Sequence, residues 1–244
     1  MDIVTYLNNN NIIIDENFFG KNDRNSIDIS NQLDLIIMAH NRIINNKITI
    51  IPRINSTIGK DVESFKLQVK KVEKLLKRLN LNNNKSDLEY YLLEKGDLAI
   101  KRAKKSIDNI DNDNYLSIIR RSMKNYEICL GRVDEGNLKL IENDIIKIRT
   151  AKYISYNLIE HDLFNYIKRT KRRDSNIEIE KIIDEFIYKS SLSEKSKNYL
   201  ISLVNYPVET MKLIYKYNND NKGKYDEWVK KINMAIDIDG DEII

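Results

Sequence analysis

Cysteine, which crosslinks chains, and glycine and proline, which interrupt helices and strands, are scarce in this sequence of 244 residues. It contains one cysteine, seven glycines and two prolines. A single cysteine, Cys129, cannot form a disulfide within the chain or a metal site with several cysteine ligands, so we expect an intracellular protein. The few glycines and prolines exclude collagen-like and many-turned all-β chains and favour a helix-rich fold.

Signals of several other protein classes are also absent. The first residues, MDIVTYLNNN, lack the basic region and apolar core of a signal peptide, and no uncharged apolar run has the length of a membrane span. The glycines form neither a dinucleotide-binding pattern nor a P-loop, which excludes nucleotide binding by those two routes. The two histidines, His40 and His161, have no cysteine or H-E-x-x-H partner, so the sequence predicts no metal site.

Positive and negative charges are nearly balanced. The 41 lysines and arginines exceed the 37 aspartates and glutamates by a net charge of +4, which is too small to indicate a dedicated nucleic-acid-binding protein. The densest basic run, Lys168–Arg173, ends a predicted helix, where cations favour the helix dipole. We expect a solvent-exposed helix end there, with contact to phosphates of a nucleic acid or membrane as the alternative.

Helical periodicity dominates the rest of the chain. Apolar residues recur every three or four positions over Ile27–Ile44 and Val62–Leu79, and each pattern predicts a helix. Ser86 and Glu89 form a capping box that opens a further helix to Ile110, which makes an antiparallel hairpin with the preceding one. Further helices are predicted at 115–124, 161–172, 177–189, 194–206, 207–217 and 225–238.

The periodicity changes around the middle of the chain. The segments Glu127–Leu130, Leu138–Ile141 and Ile145–Ile148 alternate or run apolar, and a polar turn separates the last two, which predicts a β-hairpin. A β-branched run at Lys47–Ile51, stopped by Pro52, predicts another short strand. The fold class expected from the sequence is therefore mainly α with a small β-hairpin region.

The predicted domain organisation has three parts. Residues 1–29 form an N-terminal arm or short β element, residues 30–238 a helical domain, and residues 239–244 a flexible tail. The arm is apolar for a free segment, so we expect it to cover an apolar surface or to form part of an interface. Its apolar residues are Ile12, Ile13, Ile14, Phe18 and Phe19.

Several motifs occur in the order and spacing of a known family. The stretch KSDLEYYLLEKGDLAIKRAKKSI resembles a long helix of that family, and NYEICLGRVDEGNL falls where it has a catalytic loop of the form H-G-D-x-x-x-x-N. The stretches EHDLFNYIKR and LIIMAHNRI resemble its H-D-L and L-A-x-L-H helices, and SLSEKSKNYLISLVNYPVETMKLIYKYNND resembles its closing helices. Residues 30–236 thus resemble the C-terminal lobe of the CotS-type spore coat kinase-like proteins, within the aminoglycoside phosphotransferase and choline kinase superfamily. The resemblance implies a kinase-like C-terminal lobe whose N-terminal lobe is missing.

The resemblance assigns the family's site positions one by one. If Asn137 takes the place of the loop asparagine, the loop histidine falls on Leu130 and the catalytic base on Arg132. The two acids of the metal-binding D-x-D motif fall on Thr150 and Lys152. A base must accept a proton and Mg²⁺ needs anionic oxygen ligands, so this lobe is expected to have no catalytic residue, no metal and no cofactor.

Because these positions lack the residues of an active kinase, the expected function is that of a pseudokinase lobe, which is not an enzyme. The resemblance implies a scaffold for the spore coat, bound to other coat proteins or to itself, in the cytoplasm of the mother cell or deposited on the coat. One alternative is a small-anion or phosphate binder that uses Arg132 and Lys152 in the former cleft. Another is a helical nucleic-acid-binding protein that uses Lys168–Arg173.

Overall fold

The computed structural model describes residues 1–18, 28–44, 51–110, 112–174, 176–217 and 224–243. This part of the chain is mostly helical and has short strands, as the sequence predicts. The helices are α1 (Ile3–Asn8), α2 (Ile29–Ile44), α3 (Lys60–Asn80), α4 (Asp87–Asp108), α5 (Asn112–Asn125), α6 (Glu160–Lys171), α7 (Ile179–Lys189), α8 (Glu194–Asn205), α9 (Val208–Tyr217) and α10 (Tyr225–Asp239). The strands are β1 (Ile12–Ile14), β2 (Ile128–Cys129), β3 (Leu138–Ile141), β4 (Ile145–Ile148) and β5 (Ser155–Tyr156).

The chain folds into two compact units. The first consists of Met1–Ile58, Asn112–Arg173 and Ile177–Leu200. The second consists of Gly59–Asp111, Asp174–Asn176 and Ile201–Ile244. Helix α8 contributes residues to both units, whereas every strand belongs to the first.

The predicted β-hairpin is confirmed with its bounds. Strand β4 pairs antiparallel with β3, with Leu138 opposite Ile148. It also pairs parallel with β1, which makes a three-stranded sheet of order β1-β4-β3. Asn143 in the connecting turn has a φ of 62°, a conformation that asparagine tolerates better than most residues. The expected strand Glu127–Leu130 is shorter than predicted, because only β2 pairs there, with β5.

The N-terminal segment contains more regular structure than an arm. Helix α1 was not predicted; the Asp2 side chain caps it by accepting a hydrogen bond from the Thr5 N–H at 2.9 Å. Tyr6 and Leu7 are buried, so tertiary packing stabilises a helix too short to form alone. Ile12 is also buried in the sheet. Phe19, the start of the predicted helix at Ile27 and the predicted strand up to residue 50 lie outside the described residues.

The predicted helical hairpin of α3 and α4 forms the framework of the second unit. The capping box is present: Glu89 N–H donates to Ser86 Oγ, and Ser86 N–H donates to Glu89 Oε2 at 2.8 Å. A Cβ at Gly96 would lie 2.7 Å from Leu76 Cδ1, so this glycine lets the two helices approach closely. Both helices also contact α9, and α10 contacts α4 and α9. The hairpin therefore belongs to the core of this unit.

The end of the described chain is anchored within the second unit. Ile243 N–H donates to Asn205 Oδ1 at 2.8 Å, and Lys105 pairs with Glu242 at 2.5 Å. Glu242 and Ile243 lie in the segment that the sequence predicts to be a flexible tail. In the described part of the chain, no helix combines the length and the apolar character needed to cross a membrane.

Candidate functional site

The segment that resembles a kinase catalytic loop, residues 130–137, lies in the first unit between β2 and β3. We call it the loop 130–137. Gly131 has a φ of 76°, and a Cβ there would lie 2.6 Å from the Tyr153 carbonyl oxygen. Both the backbone conformation and the close approach of Tyr153 thus require glycine at this position.

A buried carboxylate fixes the start of the loop 130–137. Asp162 accepts hydrogen bonds from the Leu130 N–H to Oδ2 at 2.8 Å and from the Gly131 N–H to Oδ1 at 2.7 Å. Its Oδ2 also lies 2.9 Å from His40 Nε2, and both side chains are buried. Asp162 and His40 come from α6 and α2, so three segments of separate motifs meet here.

Sequence reasoning missed this cluster. His40 lies in the stretch that resembles the L-A-x-L-H helix, and Asp162 in the stretch that resembles the H-D-L helix. The motif order pointed to each residue, but a distance of 122 positions along the chain hides their contact. The sequence expectation that neither histidine forms a metal site stays a prediction.

The rest of the loop is held by polar contacts to its backbone and within it. Gln32 Nε2 of α2 donates to the Val133 carbonyl at 2.6 Å. Asn137 Nδ2 donates to Asp134 Oδ1 at 2.7 Å, and the Arg149 N–H donates to the Asn137 carbonyl at 2.9 Å. Asn137, which the resemblance assigns to the loop asparagine, thus has a structural role within the loop.

Both carboxylates of the loop 130–137 are paired with arginines from the basic run. Asp134 Oδ2 lies 3.0 Å from Arg169 Nη1, and Glu135 Oε2 lies 2.9 Å from Arg173 Nη1. Tyr166 OH also donates to Glu135 Oε1 at 2.9 Å, and burial together with the Glu135 charge raises the pKa of Tyr166. The expectation of a simply solvated basic helix end is wrong for these two arginines, because the loop carboxylates attract them.

Arg132, the residue that the resemblance assigns to the catalytic base, is a cation packed on an aromatic ring. The Arg132 guanidinium lies 4.2 Å from the centroid of the Tyr153 ring, and Nη2 donates to the Tyr153 hydroxyl at 2.8 Å. Lys152 Nζ lies 5.8 Å from the same centroid. The structure thus brings Arg132 and Lys152 to one side chain, whereas Leu130 is buried in the core.

The positions assigned to metal ligands carry no carboxylate. Thr150 Oγ1 accepts a hydrogen bond from the Lys152 N–H at 3.2 Å, which folds the segment after β4 into a tight turn. No group of three or more histidine, cysteine, aspartate or glutamate side chains placed to hold a metal ion is found among the described residues.

An ion-pair cluster anchors the start of α6, next to Asp162. Arg121 forms two hydrogen bonds each to Glu127 and Glu160, at distances from 2.7 to 2.9 Å, and donates to Ser196 Oγ at 2.8 Å. Burial alone would raise the pKa of Glu160, but the hydrogen bonds and charge of Arg121 outweigh it, so this pKa lies below the usual 4.5. Glu160 is therefore a charged member of the core.

Cys129 is also part of the packed interior. Its Sγ lies 2.9 Å from the Leu158 carbonyl, and burial, with the nearby carboxylates, raises the pKa of the thiol well above its usual range. A thiol with a raised pKa stays protonated near neutral pH, which makes it a poor nucleophile.

Comparisons with known proteins support the fold. The sequence matches no protein-family model, and a search of curated protein sequences gives no match. The structure is similar to that of an aminoglycoside phosphotransferase from Alicyclobacillus acidocaldarius subsp. acidocaldarius DSM 446, with a TM-score of 0.66 and 8% sequence identity. The match covers 84% of this chain and 60% of that chain. The chain thus has a kinase-like fold similar to that of aminoglycoside phosphotransferases, as the sequence resemblance implied.

Proposed function

We propose that this protein is a non-catalytic kinase-like scaffold that acts through protein–protein contacts. The observation that carries the proposal is that Arg132, which the resemblance assigns to the catalytic base, is a cation that donates a hydrogen bond to Tyr153. A guanidinium stays protonated in proteins, so Arg132 cannot take a proton from a substrate hydroxyl.

The neighbouring carboxylates are poor substitutes for that base. Asp134 accepts hydrogen bonds from Asn137 and Arg169, and Glu135 accepts them from Tyr166 and Arg173. The oxygens of both carboxylates are thus already engaged by side chains of the first unit.

The residues assigned to the metal-binding positions also argue against phosphoryl transfer. Phosphoryl transfer relies on Mg²⁺ to neutralise charge on the phosphates, and a hard cation prefers carboxylate oxygens. Thr150 provides only a hydroxyl, and Lys152 adds a positive charge that repels the ion. A rigid loop without this chemistry suits a protein whose role is to present surfaces.

The sequence resemblance suggests the biological setting of this scaffold. We infer a role in the spore coat, produced in the mother cell and bound to coat proteins or to a second copy of itself. Transcript timing and fractionation of purified spores test the setting. Expression during vegetative growth with no protein in the spore fraction would remove the spore coat part of the proposal.

A phosphate-transfer assay tests the absence of chemistry. Purified protein incubated with ATP labelled on the γ-phosphate and Mg²⁺ is expected to release no phosphate and to label no acceptor above a protein-free blank. Activity that disappears in an Arg132→Ala variant would contradict the proposal, because it would place chemistry at this loop.

Anion binding at the same position is a second candidate function. Arg132 Nε is buried without a hydrogen-bond partner within the described residues, and Lys152 lies against the same Tyr153 ring. A cavity of about 780 Å³, lined by Lys152 and Arg53 among others, opens beside this segment. Two neighbouring cations can hold one phosphate or carboxylate through charge-assisted hydrogen bonds.

Calorimetric titration with pyrophosphate distinguishes this candidate from a scaffold without a ligand. Binding that is lost in Arg132→Gln and retained in Arg120→Gln, an exposed arginine of α5, would establish the anion site. Equal affinity of both variants would assign any binding to nonspecific surface charge.

A further inference from the structure

Helices α9 and α10 of the second unit border a shallow apolar groove, which we call the α9–α10 groove. Its cavity of about 330 Å³ is lined by the apolar side chains Leu213, Met234, Ala235 and Ile238. Ala235 is buried, whereas Met234 is 54% exposed, so the apolar lining is open to solvent on one side. Exposed apolar surface with a concave shape is a common feature of sites that receive an apolar side chain from a partner.

Lysines surround this apolar lining. Lys212, Lys216 and Lys231 line the groove together with Glu209. Lys212 Nζ lies 3.8 Å from Glu209 Oε1, and Lys231 Nζ lies 5.6 Å from the centroid of the Trp228 ring. Lys216 is exposed and makes no ion pair with the described residues. The rim of the groove therefore carries a net positive charge.

The positive surface continues onto α3. Lys71 Nζ of α3 lies 5.3 Å from the centroid of the Tyr215 ring of α9. Helix α3 carries seven basic and three acidic residues. Lys70, Lys74 and Lys77 are exposed at spacings of four and three residues, and none forms an ion pair within the described part of the chain. A partner that extends from the groove along α3 would meet an excess of positive charge.

We propose that the α9–α10 groove is the docking site for an acidic protein segment that inserts a bulky apolar side chain between its own carboxylates. The apolar side chain fills the groove, and the flanking carboxylates pair with Lys216 and Lys231. Charge complementarity identifies the partner as acidic, and the apolar lining favours a protein segment over a nucleic acid, whose backbone offers only phosphate and sugar. The inference rests on the proposed scaffold function, because it assigns a surface and a partner chemistry to that role.

A short fluorescein-labelled peptide, in which glutamates flank leucine and phenylalanine, serves as the probe in an anisotropy titration of the full chain. We expect saturable binding that weakens at high salt, because salt screens exposed charge pairs. The single tryptophan, Trp228, provides a label-free readout, since Lys231 lies near its ring. We expect its emission to shift on addition of the unlabelled peptide.

Two variants and a second peptide make the test specific. The double variant Lys216→Glu/Lys231→Glu should weaken binding about tenfold or more, whereas Lys230→Glu, an exposed lysine of α10 outside the groove lining, should stay within about twofold. A peptide with serine in place of leucine and phenylalanine should lose most of its affinity.

Equal loss in the double variant and in Lys230→Glu, equal binding of the serine peptide, or absence of binding would each overturn the groove proposal. Displacement of the peptide by single-stranded DNA with higher affinity, or tighter binding to vesicles with anionic headgroups, would also overturn it. None of these results alters the phosphate-transfer assay, so failure of the groove and failure of the scaffold function remain distinguishable.

Discussion

The loop 130–137 and the α9–α10 groove use charge in opposite ways. In the loop, Asp134 and Glu135 are each paired with an arginine. In the groove, Lys216 and Lys231 line an apolar surface and form no ion pair within the described residues. Paired charges stabilise a fixed conformation, whereas unpaired charges at a surface remain available to a partner.

For the proposed scaffold, this contrast separates charges that hold the fold from charges that are available to a partner. The two carboxylates of the loop 130–137 are paired with arginines of the first unit, whereas Lys216 and Lys231, which form no ion pair with the described residues, lie on helices of the second unit. Removing a charge that is paired in or next to the loop 130–137 should therefore lower the stability of the protein. Removing a lysine of the groove should weaken binding of the partner instead. The following predictions test that division, from the largest effect to the smallest.

Replacing Arg121 by methionine should be the most destabilising change. It leaves Glu127 and Glu160 buried without their counter-ion, which typically costs about 3 to 5 kcal/mol. Urea denaturation gives the free energy of unfolding. The matched variant Arg120→Met, at an exposed position of the same helix, should change it by less than about 0.5 kcal/mol. Similar free energies of unfolding for both variants would show that the ion pairs of Arg121 with Glu127 and Glu160 do not stabilise the protein.

The Asp162→Asn variant should loosen the start of the loop. An amide nitrogen would face the Leu130 or Gly131 N–H, so at least one buried donor loses its acceptor, at a cost of about 1 to 3 kcal/mol. Hydrogen exchange should show faster exchange of these two amides than in the native protein. Unchanged protection, with Asp226→Asn as the exposed control, would contradict the role assigned to Asp162.

Acid should destabilise the protein partly through Glu160. Its pKa lies below 4.5 in the folded state, so the unfolded state binds more protons, and the stabilisation is present above about pH 5 and lost as the pH falls through the folded value. Burial raises the pKa of Asp239 instead, so the contribution of Asp239 to stability increases as the pH falls.

Unfolding free energies measured at a series of pH values between about 7 and 3 distinguish the two groups. Glu160→Gln should flatten the loss of stability on acidification, and Asp239→Asn should steepen it. The reverse order of the two slopes would contradict the assigned shifts.

Lys216→Ala should have the smallest effect on stability. Lys216 is exposed and forms no ion pair with the described residues, so the free energy of unfolding should change by less than about 0.5 kcal/mol. Arg169→Ala, the same kind of truncation on the loop side, should cost more, because Asp134 is buried. Equal costs would remove the distinction between structural and available charge.

Local signals in the sequence predicted the elements well. The hairpin of β3 and β4 and the capping box at Ser86 depend on neighbouring residues, and both are confirmed. Helix α1 was missed, because the burial of Tyr6 and Leu7 stabilises it and that burial involves distant residues.

The site was predictable only in part. A resemblance assigned Arg132 to the catalytic base and Thr150 and Lys152 to the metal-binding motif, and the identities of these residues predict missing chemistry. The pairing of His40 with Asp162, and of Arg169 and Arg173 with the loop carboxylates, joins residues far apart in the chain. The spacing of residues within one helix predicts that a basic run is exposed to solvent, because the spacing carries no information on what packs against the helix.

The most direct test of the central claim is the melting temperature of the full chain with millimolar ATP, in the presence and absence of Mg²⁺. A ligand that binds only the folded state adds about 2.7 kcal/mol at one hundred times its Kd, which is easily detected as a rise in melting temperature. Because the resemblance assigns Arg132 to the base and Thr150 and Lys152 to the metal-binding motif, we expect no Mg²⁺-dependent change. A reproducible, Mg²⁺-dependent rise would contradict the account.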